Sequence, residues 1–311
     1  MTTVSRVGLG ALVVVLVAAG LATAASSDRH AASTIAIAAA GDIACDPDDS
    51  SFRSGVGSGL VCRQLATSNL LVSGRYSGVL TLGDNQYESG ERVKFVESYG
   101  RSWGRVKAIT HPAAGNHDYN TRGAAGYYRY FGSAAGNPAT GYYSFDLGAW
   151  HLVALNSNCS AVGGCGQRSP QNRWLRADLA AHKGVKCTLA YWHHPRFSSG
   201  QHGSDPTYAA FWRALYAANA DVVLVGHDHD YERFAPQTAN GIADARRGIR
   251  EFVVGTGGRS LRDFSTTAPN SEVRDGTTFG ILGLTLRPTH YSWRFVPAVG
   301  SFADAGSDSC H

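Results

Sequence analysis

The sequence predicts a layered α/β fold. Short apolar runs of strand length recur along the chain, and helical patterns fall between them. Most of these runs end in a turn that presents Asp, Asn or His, where the loops of an open sheet gather into a binding crevice. No repeat, heptad or Pro-, Gly- or Ser-rich linker divides the chain. One domain over residues 33–311 is therefore expected.

Ahead of that domain, residues 1–24 read as a signal peptide. Arg6 is the charged start, Val7 to Gly20 the apolar centre, and Ala22-Thr23-Ala24 has the small-x-small form of a cleavage site. The apolar run is short for a membrane span, which takes ~20 residues. Export is expected, with no membrane attachment after cleavage. The first buried strand is Ile35–Ala40, ending in Gly41-Asp42. The second is Val79–Leu82, ending in Gly83-Asp84-Asn85-Gln86-Tyr87. Ala108-Ile109-Thr110 then leads through Pro112 to Gly115-Asn116-His117-Asp118. After the strand His151–Leu155, Ser169-Pro170 pairs a capping residue with proline and marks a helix start. Thr188–Trp192 ends in His193-His194-Pro195, and Asp205-Pro206 marks a second helix start. Val222–Val225 ends in Gly226-His227-Asp228-His229, and Phe252–Val254 completes the central strands. Phe279–Leu286 and His290–Val296 flank Arg-Pro-Thr and read as a hairpin on a sheet edge.

Of 311 residues, 43% are hydrophobic, enough for a full core. The net charge of +4 includes no basic block, so no nucleic-acid partner is expected. Six cysteines in an exported chain suit disulfides. Sequence alone leaves several pairings open. Proximity favours Cys159–Cys165 and Cys45–Cys62, which leaves Cys187 for Cys310. A catalytic thiol or zinc cluster is the rival reading, and no CxxC pair supports it.

The strand ends carry the chemistry. A Gly-Asp pair alone is a turn, Gly-Asn-His-Asp alone a capped helix start, and a lone His-His-Pro is structural. Together and in order they supply the ligand count that two metals need, with a carboxylate to share. The ordered set resembles the calcineurin-like metallophosphoesterase superfamily, and within it the purple acid phosphatases, from about Asp42 to His229. That resemblance implies an α/β/β/α sandwich. It also implies the metal ligands Asp42, Asp84, Tyr87, Asn116, His193, His227 and His229, with Asp84 bridging. His117 and His202 would face substrate as catalytic histidines, with Asn116 as a further substrate contact. His194, next to a proline, reads either as a substrate contact or as a supporting or rim residue. Most of the superfamily carries Asp-x-His in the first motif, but here that position is Ala44, which cannot ligate. Tyr87 replaces it, as in purple acid phosphatases. The first site would then collect three hard anionic oxygens, which suit Fe(III), and the second would suit Fe(II), Zn or Mn. A one-residue spacing sends the side chains of His227 and His229 apart if the turn is locally extended, one to each ion.

The function implied is that of a secreted phosphatase, hydrolysing phosphomonoesters by attack of a metal-activated hydroxide. The alternatives are a phosphodiesterase with the same metal core and a non-catalytic protein that binds metal or a phosphorylated ligand. Other features receive plainer readings. His151, His182 and His290 are expected to be structural, and His111 to make a supporting hydrogen bond. Tyr127–Phe131 could line a substrate mouth, although aromatic surface and core packing are the commoner explanation. Gly255-Thr256-Gly257-Gly258 lacks the spacing and lysine of a phosphate-cradling loop.

Overall fold

The apolar runs assemble into two sheets, and the computed structural model describes residues 1–4 and 34–311. The expected signal peptide lies almost wholly outside the described residues. In chain order the first strands are β1 (Ile35–Ala40), β2 (Gly78–Leu82), β3 (Thr110–Ala113), β4 (Tyr143–Leu147), β5 (Trp150–Ala154) and β6 (Cys187–Tyr191). The rest are β7 (Val222–Val225), β8 (Tyr231–Phe234), β9 (Arg250–Val254), β10 (Ser271–Asp275), β11 (Phe279–Leu286), β12 (His290–Val299) and β13 (Ala305–Ser309). The α-helices are α1 (Gln64–Ser73), α2 (Arg92–Glu97), α3 (Ala125–Phe131), α4 (Pro170–Ala181) and α5 (Ala209–Ala217).

One sheet has six strands in the order β13-β12-β11-β1-β2-β3, and the other seven in the order β10-β8-β9-β7-β6-β5-β4. In the first, β1, β2 and β3 are parallel, and in the second β5, β6, β7 and β9 are parallel. Alternation along the strands separates two cores. Leu189, Tyr191, Val222 and Leu224 pack into the cluster that joins the sheets, together with Ile37, Leu282 and Trp293. Their neighbours Ala190, Trp192, Val223 and Val225 pack outward against Leu175 and Leu179 of α4 and Phe211 and Leu215 of α5. Helix α1 packs on β11 and β12 of the other sheet. The result is the expected α/β/β/α layering.

Both helix starts hold. Ser169 caps α4 by accepting a hydrogen bond from Asn172 N, with Pro170 at the first position. Asp205 accepts from Thr207 N ahead of a short 3₁₀ turn, Pro206–Tyr208, that runs into α5. The hairpin β11–β12 is not at an edge: β11 pairs with β1, and β12 is covered by β13. Strand β13 reads AGSDS and has no apolar residue larger than Ala305 to announce it. His111 stacks its ring on Phe145, with centroids 4.0 Å apart, and its backbone O accepts from Tyr191 Oη at 3.2 Å. Tyr127, Tyr128 and Phe131 lie in the core.

All three expected disulfides are present, and no cysteine is free. Cys45–Cys62 anchors the chain just after Asp42, and Cys187–Cys310 ties the C-terminal tail to the start of β6. No helix among the described residues is long and apolar enough to cross a membrane.

Candidate metal centre

Parallel strands of both sheets bring their carboxyl ends to one place. Past β1 comes Asp42, past β2 come Asp84 and Tyr87, and past β3 come Asn116 and His117. From the other sheet, β6 delivers His193 and His194, and β7 delivers His227 and His229. The turns are crowded. Gly83 has φ +86°, and a Cβ there would meet the His193 ring at 2.5 Å. A Cβ on Gly115 would lie 2.1 Å from Asp84 Oδ1. Only glycine lets these loops pass so close to functional side chains.

Three of the candidate ligands are themselves in the left-handed region: Asp42 at φ 60°, Asp84 at 44° and His227 at 72°. Non-glycine residues there cost about 1 kcal/mol or more each and persist only when their surroundings hold them. Here His227 N donates to Asp42 Oδ2, His117 N to Asp84 Oδ1, and Ile43 N to Asp84 O. His227 is thus not in the extended turn that simple alternation assumes. Its side chain still parts from that of His229.

The donor atoms fall into two groups. Tyr87 Oη lies 2.8 Å from Asp42 Oδ1, 2.9 Å from Asp84 Oδ2 and 3.0 Å from His229 Nε2. His193 Nε2 lies 3.0 Å from Asn116 Oδ1, 3.2 Å from His227 Nδ1 and 3.3 Å from Asp84 Oδ2. Asp84 Oδ2 belongs to both. Outer contacts orient the rings: His193 Nδ1 faces Leu82 O at 2.8 Å, and His229 Nδ1 faces Ser260 Oγ at 2.7 Å.

The electrostatics are those of a buried anionic cluster. Burial, followed by the carboxylates of Asp42 and Asp84, holds the Tyr87 phenol well above its usual range. A phenolate there requires a neighbouring cation. Burial would raise Asp84, yet the imidazoles of His193 and His117 outweigh it and keep the carboxyl well below the usual range. Burial also keeps His194 neutral, lowering it to about 3, with the His193 charge adding to the effect.

Residues 64–231 match the profile of the calcineurin-like phosphoesterase family. The chain belongs to that family. Relatives of this chain include purple acid phosphatase 21 of Arabidopsis thaliana, 34% identical over 164 residues, 49% of this chain and 36% of that protein. Another is the uncharacterized protein Rv2577 of Mycobacterium tuberculosis, 28% identical over 185 residues, 48% of this chain and 35% of that protein. The chain thus spans little more than a third of each. Among solved structures, purple acid phosphatase PPD1 from yellow lupin shares the fold at a TM-score of 0.67 and 19% identity, covering 89% of this chain and 54% of its own. A dimetal phosphatase from Danio rerio shares it at 0.59 and 14% identity, covering 89% and 99%. These relatives bear out the resemblance to the purple acid phosphatase-like branch.

The family implies a dinuclear metal centre, and the donor set fits one. Deprotonable oxygens and imidazole nitrogens pack about their shared carboxylate at the separations that ligands of a common ion adopt, with outer hydrogen bonds already in place. The catalytic candidates stand around it. His117 Nδ1 faces Glu88 O at 2.8 Å, and its Nε2 is 3.9 Å from Asp84 Oδ2. The His202 ring lies 4.1 Å from that of His227, and its Nδ1 is 2.8 Å from Asp228 Oδ1. The His194 ring, 4.4 Å from His227, is fixed by Ser157 Oγ at 2.8 Å. Sequence reasoning missed Ser157 and Ser260, because nothing local marks a serine that orients a distant ring. The glycine run Gly255–Gly258 is a brace: Gly257 N donates to Gly41 O, and Thr67 Oγ1 donates to Gly257 O.

Proposed function

We propose that this chain is an exported phosphomonoesterase with a dinuclear metal centre of purple acid phosphatase type. The observation that carries the reading is the position of Asp84 Oδ2, within 3.3 Å of both Tyr87 Oη and His193 Nε2. Asp42, Asp84, Tyr87 and His229 would hold the first ion, Fe(III), whose charge compensates three anionic oxygens. Asp84, Asn116, His193 and His227 would hold the second, Fe(II), Zn or Mn. Bound there, such ions supply Lewis acidity toward phosphoryl oxygens and acidify water.

The chain's own groups do the rest. His117 and the Asn116 amide stand where phosphoryl oxygens would be oriented. His202 would protonate the departing alkoxide oxygen: its Nδ1 faces Asp228 Oδ1, and its Nε2, 3.5 Å from Arg262 Nη1, would have to leave that contact to deliver the proton. Asp228 is pinned for this by Ser198 Oγ on its other oxygen. Export is supported by three disulfides with no free thiol, and residues 33–311 would form the mature domain.

Elemental analysis and turnover of nitrophenyl phosphate by the purified protein test the reading, together with Asp84→Asn. The variant is expected to lose metal at both sites and at least ~100-fold in turnover, beyond the effect of losing an outer-shell partner. A variant that keeps two ions and the wild-type rate would refute it.

A further inference from the structure

Beside the metal centre lies a cavity of about 510 Å³, within the range of small-molecule sites, which Asn116 and His194 border on the metal side. No lysine or arginine lines it among the described residues. Its surface is instead rich in acceptors. Asn158 spends its amide nitrogen on Ala114 O and Asn156 Oδ1, and Asn120 spends its own on Glu88 O. Asp205 uses one oxygen to cap the turn at Thr207 N. Three acceptor oxygens, Asn158 Oδ1, Asn120 Oδ1 and the second Asp205 oxygen, therefore have no protein donor among the described residues. The Thr207 hydroxyl has no partner there either.

The lining is also held in place. Asn158 sits at the base of the Cys159–Cys165 loop, and its backbone N donates to Asn156 Oδ1. Asn156 is clamped in turn by Gln171 of α4, which accepts from Asn156 N and donates to Asn156 O. Fixed acceptors cost little to order when a donor-rich ligand arrives. A second anionic group would meet the Asp205 carboxylate with no cation to offset it.

We propose that this cavity receives the leaving group and selects phosphomonoesters of neutral, polyhydroxylated alcohols, the class of sugar and polyol monophosphates. The inference rests on the phosphatase reading above. Hydroxyls of the departing alcohol replace the water on the free amide and carboxylate oxygens, whereas an apolar alcohol of equal size displaces that water without replacing its hydrogen bonds.

The test compares kcat/KM for glucose phosphorylated on its hydroxymethyl group, cyclohexylmethyl phosphate and a glucose bisphosphate, with nitrophenyl phosphate as control. Two or three hydrogen bonds in a half-exposed cavity favour the glucose monoester over the cyclohexyl one by about tenfold. The bisphosphate should be at least about fivefold poorer than the monophosphate at low salt, and this gap should shrink as salt screens Asp205. Asp205→Asn keeps a residue suited to capping and should bring mono- and bisphosphate within about twofold of each other. Equal rates on the glucose and cyclohexyl esters, or a preference for the bisphosphate, would overturn the inference while nitrophenyl phosphate is still turned over. No turnover of any ester would overturn the phosphatase reading, and this inference with it.

Discussion

Replacing His202 with alanine separates proton donation from metal binding. The side chain is 40% exposed and contributes no atom to either donor group. Truncation leaves Asp228 Oδ1 with the His202 backbone N at 2.9 Å, and its other oxygen with Ser198 Oγ. The variant should fold with both ions and lose roughly 1–3 kcal/mol of stability, because the buried Asp228 carboxylate gives up one of its partners. Its chemical defect depends on the leaving group. General acids contribute ~100- to 10,000-fold, and the exposure of this imidazole lets water substitute in part, so the low end applies. Turnover of an alkyl phosphate, which departs as a basic alkoxide, should fall about 100-fold. Nitrophenolate leaves without a proton, so nitrophenyl phosphate should lose less than about tenfold. The assay is the ratio of the two losses under conditions where chemistry limits the rate. Equal losses would assign His202 to phosphate binding and pass the proton to His117.

Three other outcomes follow from particular contacts. If Tyr87 binds Fe(III) as phenolate, the protein should show a broad visible absorption band that Tyr87→Phe abolishes with iron retained; active protein holding two zinc ions and no iron would exclude this. Removing the Cys187–Cys310 bond as a double serine variant frees a separation of 123 residues, worth up to ~5 kcal/mol in chain entropy and 2–4 kcal/mol in typical cases; unchanged denaturant stability would show the tail staple to be idle. Buried His151 lies 2.8 Å from both Asp146 and Asp178. Burial lowers its pKa, but the bonds to Asp178 and Asp146 outweigh this and raise it, whereas Asp178 is held low despite its burial. The raised histidine stabilises the fold fully below about pH 6.5, and that share fades as pH rises through its folded pKa. The lowered carboxyl contributes fully above about pH 4, and its share fades as pH falls through its own folded pKa. The melting-temperature gap between wild type and His151→Phe should therefore be widest between those limits and narrow toward alkaline pH; a flat gap would mean that packing alone is at work.

Much of this molecule is written locally. The central strands β1, β6 and β7 are mostly apolar runs, buried on both faces over most of their length, so composition marks them to within a residue at their ends. Strands β10 and β13 are not legible that way. SEVRD and AGSDS lie on sheet edges, half exposed, and are strands because a neighbour offers hydrogen bonds. The same division runs through the site. Asp84 and His193 stand directly behind strand signals, and the spacing of His227 and His229 suggests two destinations. The left-handed backbone of His227 is set by its hydrogen bond to Asp42, a residue 185 positions away, and no local pattern encodes that.

The division of candidate ligands between the sheets explains why the proposed site needs the whole sandwich. Every carboxylate and phenol oxygen of the two donor groups, and the Asn116 amide, comes from the ends of β1, β2 and β3 in the six-stranded sheet. Every imidazole comes from β6 and β7 in the seven-stranded sheet. Neither sheet alone completes either group: the first needs His229, and the second needs His193 and His227. The oxygens of one sheet repel each other once they are ionised and buried, and the imidazoles of the other face low-dielectric surroundings without partners. Docking the sheets through the inter-sheet core brings the unlike sets to about 3 Å of one another. The apolar residues between the sheets thus provide the stability, and the strained turns at Asp42, Asp84 and His227 draw on it to hold donor atoms that would not gather by themselves. The candidate centre sits at the seam because only there can one carboxylate, Asp84, reach partners from both sheets.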